Sequence, residues 1–360
     1  MTADNAIRRR MLSRLLEEPR IDALVVGRPA DWYYLTGFTG ESGLLLVSRA
    51  GSTLITDGRF MVQAKEETRG VRILLQKGNL FQCAGEYLKG CGFGRVGFEP
   101  GQMTVAGWFE LRRASGGRCK AIRAAGLVSG LRARKDAGEL AQMRKAAHLA
   151  SAVVQSAFKL LKPGVRELEV ASEIEYAMRQ RGASGPAFET IVAFGRRSAL
   201  PHARPTAKRL RKNELVVLDL GVILGHYCSD ITRTVFVGKA PERVRRWYRG
   251  VQEAQAAAIV AARVGVTCGE VDEAARSVLA GQGLERFFVH GTGHGLGLEV
   301  HEEPRVAKGQ KHRLQAGNVI TIEPGVYVEG VGGIRIEDDV AIHGKQTEVL
   351  TRGSRELIEL

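Results

Sequence analysis

The chain has 360 residues, which is more than one hydrophobic core usually contains, so we expect two domains. Hydrophobic residues make up 44% and charged residues 26%, a composition that is typical of globular proteins and excludes a disordered chain. The net charge of +14 suggests a polyanionic partner, but acidic residues occur throughout, and no helix-turn-helix, zinc-finger or aromatic RNA-binding motif is present. We therefore interpret the charge as solvated arginine-rich faces and expect no nucleic-acid partner.

The five cysteines are scattered along the chain and form no C-x-x-C pair, so neither a zinc finger nor a disulfide framework is predicted. The first residues, MTADNAIRRRML, are not followed by the apolar stretch of a signal peptide, and no apolar run approaches the length of a membrane span. We expect a cytoplasmic protein that has no membrane partner.

The first third of the chain alternates short apolar strands with helical patterns and begins with an amphipathic helix over residues 7–18. This alternation predicts an α/β domain. Its strands are predicted at residues 22–27, 43–48, 52–57, 71–76 and 95–100, and its further helices at residues 59–68, 80–89 and 105–114.

A segment that contains glycine and serine follows, and we place a domain boundary near residue 128, which gives domains 1–128 and 129–360. The second domain opens with two helical patterns and then mixes strands with helices, which predicts an α+β arrangement. Its helices are expected at residues 137–161, 167–181, 241–263 and 270–281.

Two aspartates lie within apolar, strand-like sequence in VVLDLGVILGHYCSDITRTVFVG, residues 216–238. An ionised carboxylate in a half-buried strand is costly unless it is paired or binds a metal. The glycines between the two aspartates allow the chain to turn, so that Asp219 and Asp230 lie side by side. Two like charges at that distance require a cation between them, which makes both residues candidate metal ligands.

A second hairpin, NVITIEPGVYVEGVGGIRIEDDVAI at residues 318–342, repeats this pattern with Glu323 and Glu337. Between the hairpins, HGTGHGLGLEVHEEP at residues 290–304 offers three histidines on a glycine-rich loop. Four carboxylates and a histidine form an oxygen-rich donor set. Such a set suits two divalent cations, Mn²⁺, Co²⁺ or Zn²⁺, better than a closed structural zinc site.

These motifs resemble those of the pita-bread-fold metallopeptidases and, among them, the Xaa-Pro peptidases aminopeptidase P and prolidase. The similarity rests on DLG, YCSDITRT, GTGHGLGLEVHEEP, TIEPG and GGIRIEDD, and on YYLTGF and LITDGRF, which resemble a creatinase-like N-terminal domain. The resemblance implies a curved, mainly antiparallel pita-bread sheet after that domain, and hydrolysis of the peptide bond before proline through a hydroxide that bridges two metals. It implies two metals, with Mn²⁺ first among the candidates, held by Asp219, Asp230, His294, Glu323 and Glu337.

The resemblance also implies roles around the ligands. Glu323 would shuttle a proton, and His202, in SALPHARPT, and His301 would donate hydrogen bonds to the developing oxyanion and to the substrate. Candidate substrate-binding residues are Arg335, Arg305 and His290. Arg335 has the alternative of orienting a ligand carboxylate, and His290 and Arg305 have the alternatives of a structural and a surface role.

Three questions stay open at this stage. The substrate is a proline-containing dipeptide for a prolidase or a longer peptide for an aminopeptidase P, and arginine at position 305 occurs in some prolidases. Another metal-dependent hydrolase or lyase of the same fold, or a binding protein without catalysis, are the alternative functions. The resemblance further suggests a homodimer.

Overall fold

The chain divides after Arg132 into two units, and each has its own hydrophobic core. The computed structural model describes residues 2–344 and 346–360. The first unit ends close to residue 128, where the sequence analysis places the domain boundary.

The first unit is a mixed six-stranded sheet with helices, which confirms the predicted α/β class. Three of its strand pairs are parallel and two are antiparallel, in the strand order β4-β3-β2-β1-β5-β6. Its elements are α1 (Thr2–Leu15), β1 (Ala23–Val26), α2 (Pro29–Thr36), β2 (Leu44–Ser48), β3 (Gly51–Thr56), α3 (Met61–Glu67), β4 (Arg72–Leu75), α4 (Leu80–Gly90), β5 (Arg95–Phe98), α5 (Val105–Ala114), β6 (Lys120–Arg123) and α6 (Leu127–Arg132).

The second unit mixes helices with short, mainly antiparallel strands, which confirms the predicted α+β class. Its elements are α7 (Ala137–Ala157), α8 (Glu167–Gln180), β7 (Gly185–Pro186), β8 (Ile191–Phe194), β9 (Glu214–Leu220), β10 (Val222–Leu224), β11 (Tyr227–Cys228), β12 (Ile231–Val237), α9 (Glu242–Ala261), α10 (Cys268–Gly281), β13 (Gly293–Gly295), β14 (Glu302–Val306), β15 (Val319–Ile322), β16 (Gly325–Val328), β17 (Gly332–Arg335), β18 (Asp338–His343), β19 (Gln346–Val349) and β20 (Ile358–Glu359).

Two of its sheets carry the carboxylate motifs. One has the strand order β20-β12-β9-β8, and the other has the order β14-β13-β15-β18-β19. Alternate residues of β12 pack into different cores: Val235 contacts the core that includes α7 and α8, whereas Phe236 contacts the core that includes α9 and α10. The strand is therefore covered on both faces, which explains why the consecutive residues Val235, Phe236 and Val237 are all apolar.

Helices α7 and α10 begin with capping boxes that are readable from the sequence. Asp136 accepts a hydrogen bond from the backbone N–H of Glu139, whose side chain accepts one from the backbone N–H of Asp136. Thr267 and Glu270 make the same reciprocal pair at the start of α10. These pairs satisfy amides that the first turn of a helix leaves without partners, and they fix where both helices start.

The candidate ligands lie in strands or at the points where strands end. Asp219 is inside β9, opposite Thr232 of β12, and Asp230 immediately precedes β12. Glu323 follows β15, and Glu337 lies between β17 and β18. Register pairs Ile322 with Asp338, so the chain reaches Glu323 and Glu337 at the same end of the β15–β18 pair. The fold therefore gathers carboxylates that are far apart in sequence.

Gly293, the residue before the candidate ligand His294, allows two strands to approach closely. A Cβ atom at this position would lie 1.9 Å from the carbonyl oxygen of Thr321. No side chain fits at that distance, so any other residue would push β13 away from β15 and would displace His294 from the carboxylates.

We predict that Gly293→Ala lowers the free energy of unfolding of the second unit by about 1–3 kcal/mol, because the added methyl group overpacks this contact. Gly281→Ala, at the exposed end of α10 where a Cβ meets nothing within 4 Å, is the matched control. The control should be neutral or stabilising by up to about 1 kcal/mol. Urea denaturation of both variants checks this, and equal stability of the two variants would refute the close approach.

Candidate metal centre

Three of the predicted ligands converge to within ligand distance of one another. Asp230, His294 and Glu337 each offer an atom, and these atoms all lie within 4.8 Å of one another. The Nε2 atom of His294 is 3.3 Å from Oε1 of Glu323 and 3.7 Å from Oδ2 of Asp230. Asp219 lies near enough for its charge to act on Asp230, Glu323 and Glu337. The structure therefore brings together all five residues that the sequence singled out.

Two buried carboxylate oxygens in this cluster have no hydrogen-bond partner among residues 2–344 and 346–360. They are Oδ1 of Asp219 and Oδ1 of Asp230, in residues that are 7% and 5% exposed. Buried polar atoms in proteins are nearly always paired, because an unpaired one loses its hydration without compensation. A cation between these carboxylates supplies the missing partner, so the residues fit a bound metal.

The cluster also holds more negative charge than its surroundings balance. Burial raises the pKa of Asp230 well above its ordinary value, and the charges of Glu337 and Asp219 raise it further. Burial, Glu323 and Asp219 act in the same way on the pKa of Glu337. Burial also raises the pKa of Glu323 to about 7, although Arg335 opposes the shift. Divalent cations would remove this repulsion and allow the carboxylates to ionise together.

His294 presents the correct ring atom to such a cation. Its Nδ1 donates a hydrogen bond to the carbonyl oxygen of Gly295 at 3.0 Å, which leaves the Nε2 lone pair facing the carboxylates. Burial lowers the pKa of His294, so the imidazole is neutral, as a metal ligand must be. One imidazole among several carboxylates is a donor set that suits hard to borderline divalent cations.

Side-chain hydrogen bonds join β12 to the strand segment that carries Glu337. The hydroxyl of Thr232 donates to Oε2 of Glu337 at 2.5 Å, and the hydroxyl of Thr234 bonds both the carbonyl oxygen and the N–H of Arg335. The carboxylate of Asp339 accepts the backbone N–H of Asp230 at 3.1 Å. These contacts fix the separation of Asp230 and Glu337. They use one carboxylate oxygen of Glu337 and neither carboxylate oxygen of Asp230.

Asp338 anchors the same region from the side that faces away from the cluster. Its fully buried carboxylate accepts hydrogen bonds from Arg233, Thr351, Gln255 and Arg355. Burial alone would raise the pKa of Asp338, but Arg233 and Arg355 hold it below its ordinary value. The sequence analysis did not identify Asp338 or Asp339 as functional. The signal was present, because both are acidic residues in an apolar strand.

Arg335 is buried, and its guanidinium is fully engaged by protein oxygens. Its Nη2 contacts the carboxylate of Asp219, its Nε donates to Thr232 at 3.0 Å, and its Nη1 donates to the hydroxyl of Tyr327 at 2.7 Å and to the carbonyl oxygen of Pro201 at 3.0 Å. This arrangement favours the orienting role of Arg335 toward Asp219. Tyr327 was not identified from the sequence, because nothing in GVYV distinguishes it from a packing residue.

The three candidate site histidines outside the ligand set, which are His202, His290 and His301, differ in exposure. The rings of His301 and His294 meet edge to face with centroids 4.3 Å apart, and His301 and His202 are both exposed. Partial burial lowers the pKa of His301, and the neighbouring rings of His294 and His202 lower it further. Both are therefore able to meet a substrate at the edge of the cluster.

His290, in contrast, has both ring nitrogens bonded within the protein. Its Nδ1 donates to the carbonyl oxygen of Gly291 at 2.8 Å, and its Nε2 lies 2.9 Å from the hydroxyl of Tyr327. Burial lowers the pKa of His290 to about 4, so the ring is neutral at physiological pH. These contacts favour a structural role, in which His290 supports Tyr327 and through it Arg335.

Arg305 lies in β14 with an exposed side chain. Arg305 follows His301 by four residues in the chain. Among the described residues no hydrogen bond or ion pair of its guanidinium is present, and only its backbone N–H donates, to Glu303 at 3.3 Å. Its charge is therefore available to a ligand.

The gathering of buried carboxylates and one neutral imidazole between two mainly antiparallel sheets defines a metal-dependent enzyme. Residues 141–344 match the model of metallopeptidase family M24, and residues 8–134 match that of the creatinase/prolidase N-terminal domain. The chain belongs to metallopeptidase family M24. The family resemblance and the fold expected from it are thus confirmed. Of the helices in the described part of the chain, none is both long and apolar enough to cross a bilayer.

Similar proteins match over nearly their whole length. The Xaa-Pro dipeptidase of Pyrococcus furiosus is 37% identical over 348 residues, which are 96% of this chain and 98% of that protein. The structure of Xaa-Pro dipeptidase from Bacillus anthracis has a TM-score of 0.95 and 34% identity, and the match covers 99% of this chain and 100% of that one. The X-Pro aminopeptidase from Thermotoga maritima has a TM-score of 0.88 and 34% identity, and its match covers 97% and 99%.

We predict that Asp230→Ala and Glu337→Ala each remove stoichiometric metal binding, because both lie at the centre of the cluster. The loss of Mn²⁺ affinity should exceed the about 10- to 100-fold that is typical for a residue behind the ligands. Titration calorimetry on chelated protein, together with metal analysis, measures this. Glu329→Ala, at an exposed position between β16 and β17, is the control and should bind as the wild type does. Unchanged stoichiometry in the Asp230 or Glu337 variants would refute their assignment.

Proposed function

We propose that this chain is a dinuclear, metal-dependent Xaa-Pro peptidase that hydrolyses the peptide bond before proline. The observation that carries the proposal is the convergence of Asp219, Asp230, His294, Glu323 and Glu337, with two buried carboxylate oxygens that have no hydrogen-bond partner in the described part of the chain. The Xaa-Pro dipeptidases and the X-Pro aminopeptidase among its relatives support this substrate class. An intact cluster argues against a binding protein without catalysis.

The five clustered residues would hold two divalent cations. We propose Mn²⁺, with Co²⁺ and Zn²⁺ as alternatives, because the donors are oxygens with a single imidazole. When bound, two such cations supply Lewis acidity, which makes water a nucleophile near neutral pH and draws electrons from the scissile carbonyl. A homodimer remains a prediction of the family resemblance, and a cytoplasmic location remains a prediction from the sequence pattern.

Glu323 would move the proton that hydrolysis requires. Its carboxyl would accept a proton from the attacking water and give it to the departing proline nitrogen. The hydroxyl of Thr321 donates to Oε1 of Glu323 at 3.2 Å and the Nε2 of His294 lies 3.3 Å from the same atom, so the carboxyl is held in one orientation. Glu323 would thereby serve both steps, acceptance of the proton from water and its donation to the leaving nitrogen.

His202 and His301 would act on the substrate carbonyl. A neutral imidazole offers one N–H, and a donor aimed at the developing oxyanion stabilises the transition state more than the ground state. Arg335 would keep Asp219 in place through its contact with that carboxylate, and His290 would do so indirectly through Tyr327. In this scheme the residues divide into those that touch substrate and those that hold the ligands.

The choice between prolidase and aminopeptidase P depends on how the end of the substrate is recognised. A dipeptide that ends in proline has a carboxylate directly after the ring, whereas a longer peptide has an amide there. We propose that Arg305 binds that carboxylate, because its guanidinium is exposed and the residue follows His301 by only four positions. The chain would then be a prolidase.

The experiment that tests the function compares an Xaa-Pro dipeptide, an Xaa-Pro-Yaa tripeptide and an Xaa-Ala dipeptide as substrates. The wild-type chain is chelated and then assayed after addition of Mn²⁺, Co²⁺ or Zn²⁺. We expect no activity in the chelated protein, recovery with at least one metal, and cleavage of the proline substrates alone. Failure to cleave either proline substrate with every metal would overturn the proposal and favour another hydrolase or lyase reaction.

We predict that Arg305→Ala weakens cleavage of the dipeptide more than cleavage of the tripeptide or of an amidated dipeptide. The activation free energy calculated from kcat/KM for the dipeptide should rise by about 1.5–3 kcal/mol, which is typical of the loss of a hydrogen bond to a charged group. Lys308→Ala removes a nearby exposed cation and is the control. Failure of the wild type to cleave dipeptides, or an equal loss of kcat/KM on all substrates in the variant, would favour aminopeptidase P.

A further inference from the structure

The segment that carries His202 has little regular structure of its own. It runs from the end of β8 at Phe194 to Thr206, and only the short 3-10 turn Gly195–Ala199 within it is helical. A histidine on such a segment is not positioned by a strand ladder or a helix. Contacts with the rest of the unit must therefore determine where its imidazole points.

One buried carboxylate bonds both ends of this segment. Glu167, the first residue of α8, is 0% exposed. Its Oε1 accepts the backbone N–H of Phe194 at 2.9 Å, and its Oε2 accepts both the backbone N–H and the hydroxyl of Thr206, at 2.9 Å and 2.6 Å. Phe194 precedes His202 in the chain and Thr206 follows it. Glu167 therefore closes the segment into a loop around the histidine.

Arg197 extends this closure along the loop. Its Nε donates to both oxygens of Glu167, at 3.1 Å and 3.0 Å, and its Nη2 donates to the carbonyl oxygen of Arg204 at 2.5 Å. On the other side of His202, Arg335 donates to the carbonyl oxygen of Pro201. The peptide units on either side of His202 are thus held by two guanidiniums, one organised by Glu167 and the other by Asp219.

The surroundings of Glu167 match the shape and the two acceptor oxygens of a carboxylate. Glu167 lies in the first turn of α8, where the helix dipole stabilises an anion, and its partners are N–H and O–H donors with one guanidinium. An amide of the same shape would have one acceptor oxygen and would direct an NH₂ group at donors. The site is therefore specific for a carboxylate rather than for a group of that size.

We propose that Glu167 is a positioning residue for His202, which it holds at the edge of the metal cluster by closing the loop Phe194–Thr206. This inference rests on the proposed peptidase function. Glu167 contacts neither the candidate metal ligands nor the substrate. Its effect is on the position of one hydrogen-bond donor, His202.

Glu167→Gln tests the proposal in the full chain loaded with Mn²⁺. The control is Glu173→Gln, which removes the same charge from an exposed position of α8. We expect Glu167→Gln to lower kcat/KM for the proline substrate about 10- to 100-fold, as loss of a supporting partner does at other sites. Metal content should remain at the wild-type value, and the control should be unaffected.

A double-mutant cycle with His202→Ala distinguishes positioning from general destabilisation. His202→Ala should itself lower kcat/KM by about 10²- to 10³-fold, as loss of an oxyanion donor does. In that background Glu167→Gln should cost less than about twofold, because the group on which it acts is gone. Equal losses in both backgrounds, or wild-type kcat/KM in either single variant, would overturn the proposal.

Hydrogen exchange provides a readout that does not depend on activity. The amides of residues 202–204, which Glu167 does not bond directly, should exchange about 10-fold faster in Glu167→Gln, while those of α7 keep their rates. Unchanged exchange would overturn the proposal even if activity falls. An inactive wild type would overturn the proposed function instead, and the exchange measurement would still decide whether Glu167 holds the loop.

If Glu167→Gln does not fold, Arg197→Met replaces it in the cycle and in the exchange experiment. This variant removes the link from Glu167 to Arg204 at a partly exposed position, where a loss of packing is tolerated. Failure of both variants to fold would also overturn the proposal, because Glu167 would then support the whole unit rather than one loop.

Discussion

The second unit is organised around a single electrostatic constraint, the burial of several carboxylates in one place. Each of these groups loses hydration on folding, and each repels the others. Arg335 is the cation that the cluster's own strands provide, and its contact with Asp219 balances a part of the charge. Bound metal ions would balance the remaining negative charge of the carboxylates. A fold that keeps such groups together needs stiff elements, which explains why the ligands come from sheet strands and their ends rather than from long loops.

The residues that we propose to act on a substrate are held in a different way. His202 and His301 lie on loops, and a buried carboxylate organises each loop: Glu167 for the first, and Glu302 for the second. Glu302 accepts the backbone N–H of Glu299 at 3.0 Å and is 3.3 Å from the Nζ of Lys135, in a buried ion pair. The candidate ligands thus lie on paired strands, whereas the two histidines lie on loops that buried carboxylates hold together.

Much of this site was readable from the sequence, because an acidic residue inside an apolar run is a local conflict that only pairing or a metal resolves. Asp219, Asp230, Glu323 and Glu337 were found in this way, and most helices follow from their apolar spacing. Helix α2 was missed, since its aromatic run PADWYYLT has no clear helical period. Glu167 could not be recognised, because its partners lie far away in the chain; Thr206, for example, follows it by 39 residues. Tyr327 could not be recognised either, since nothing in GVYV distinguishes it from a packing residue.

The threonines of β12 have a further consequence. Where two strands pair only through their main chains, almost any residue is accepted at a given position. Between β12 and the segment before β18, the main-chain hydrogen bond from the N–H of Glu337 to the carbonyl oxygen of Thr232 is joined by contacts of the Thr232 and Thr234 hydroxyls. Valine has nearly the shape of threonine but no hydroxyl, so it would keep the spacing and lose these contacts. The geometry of the cluster therefore depends on two hydroxyl groups that are not among the candidate ligands.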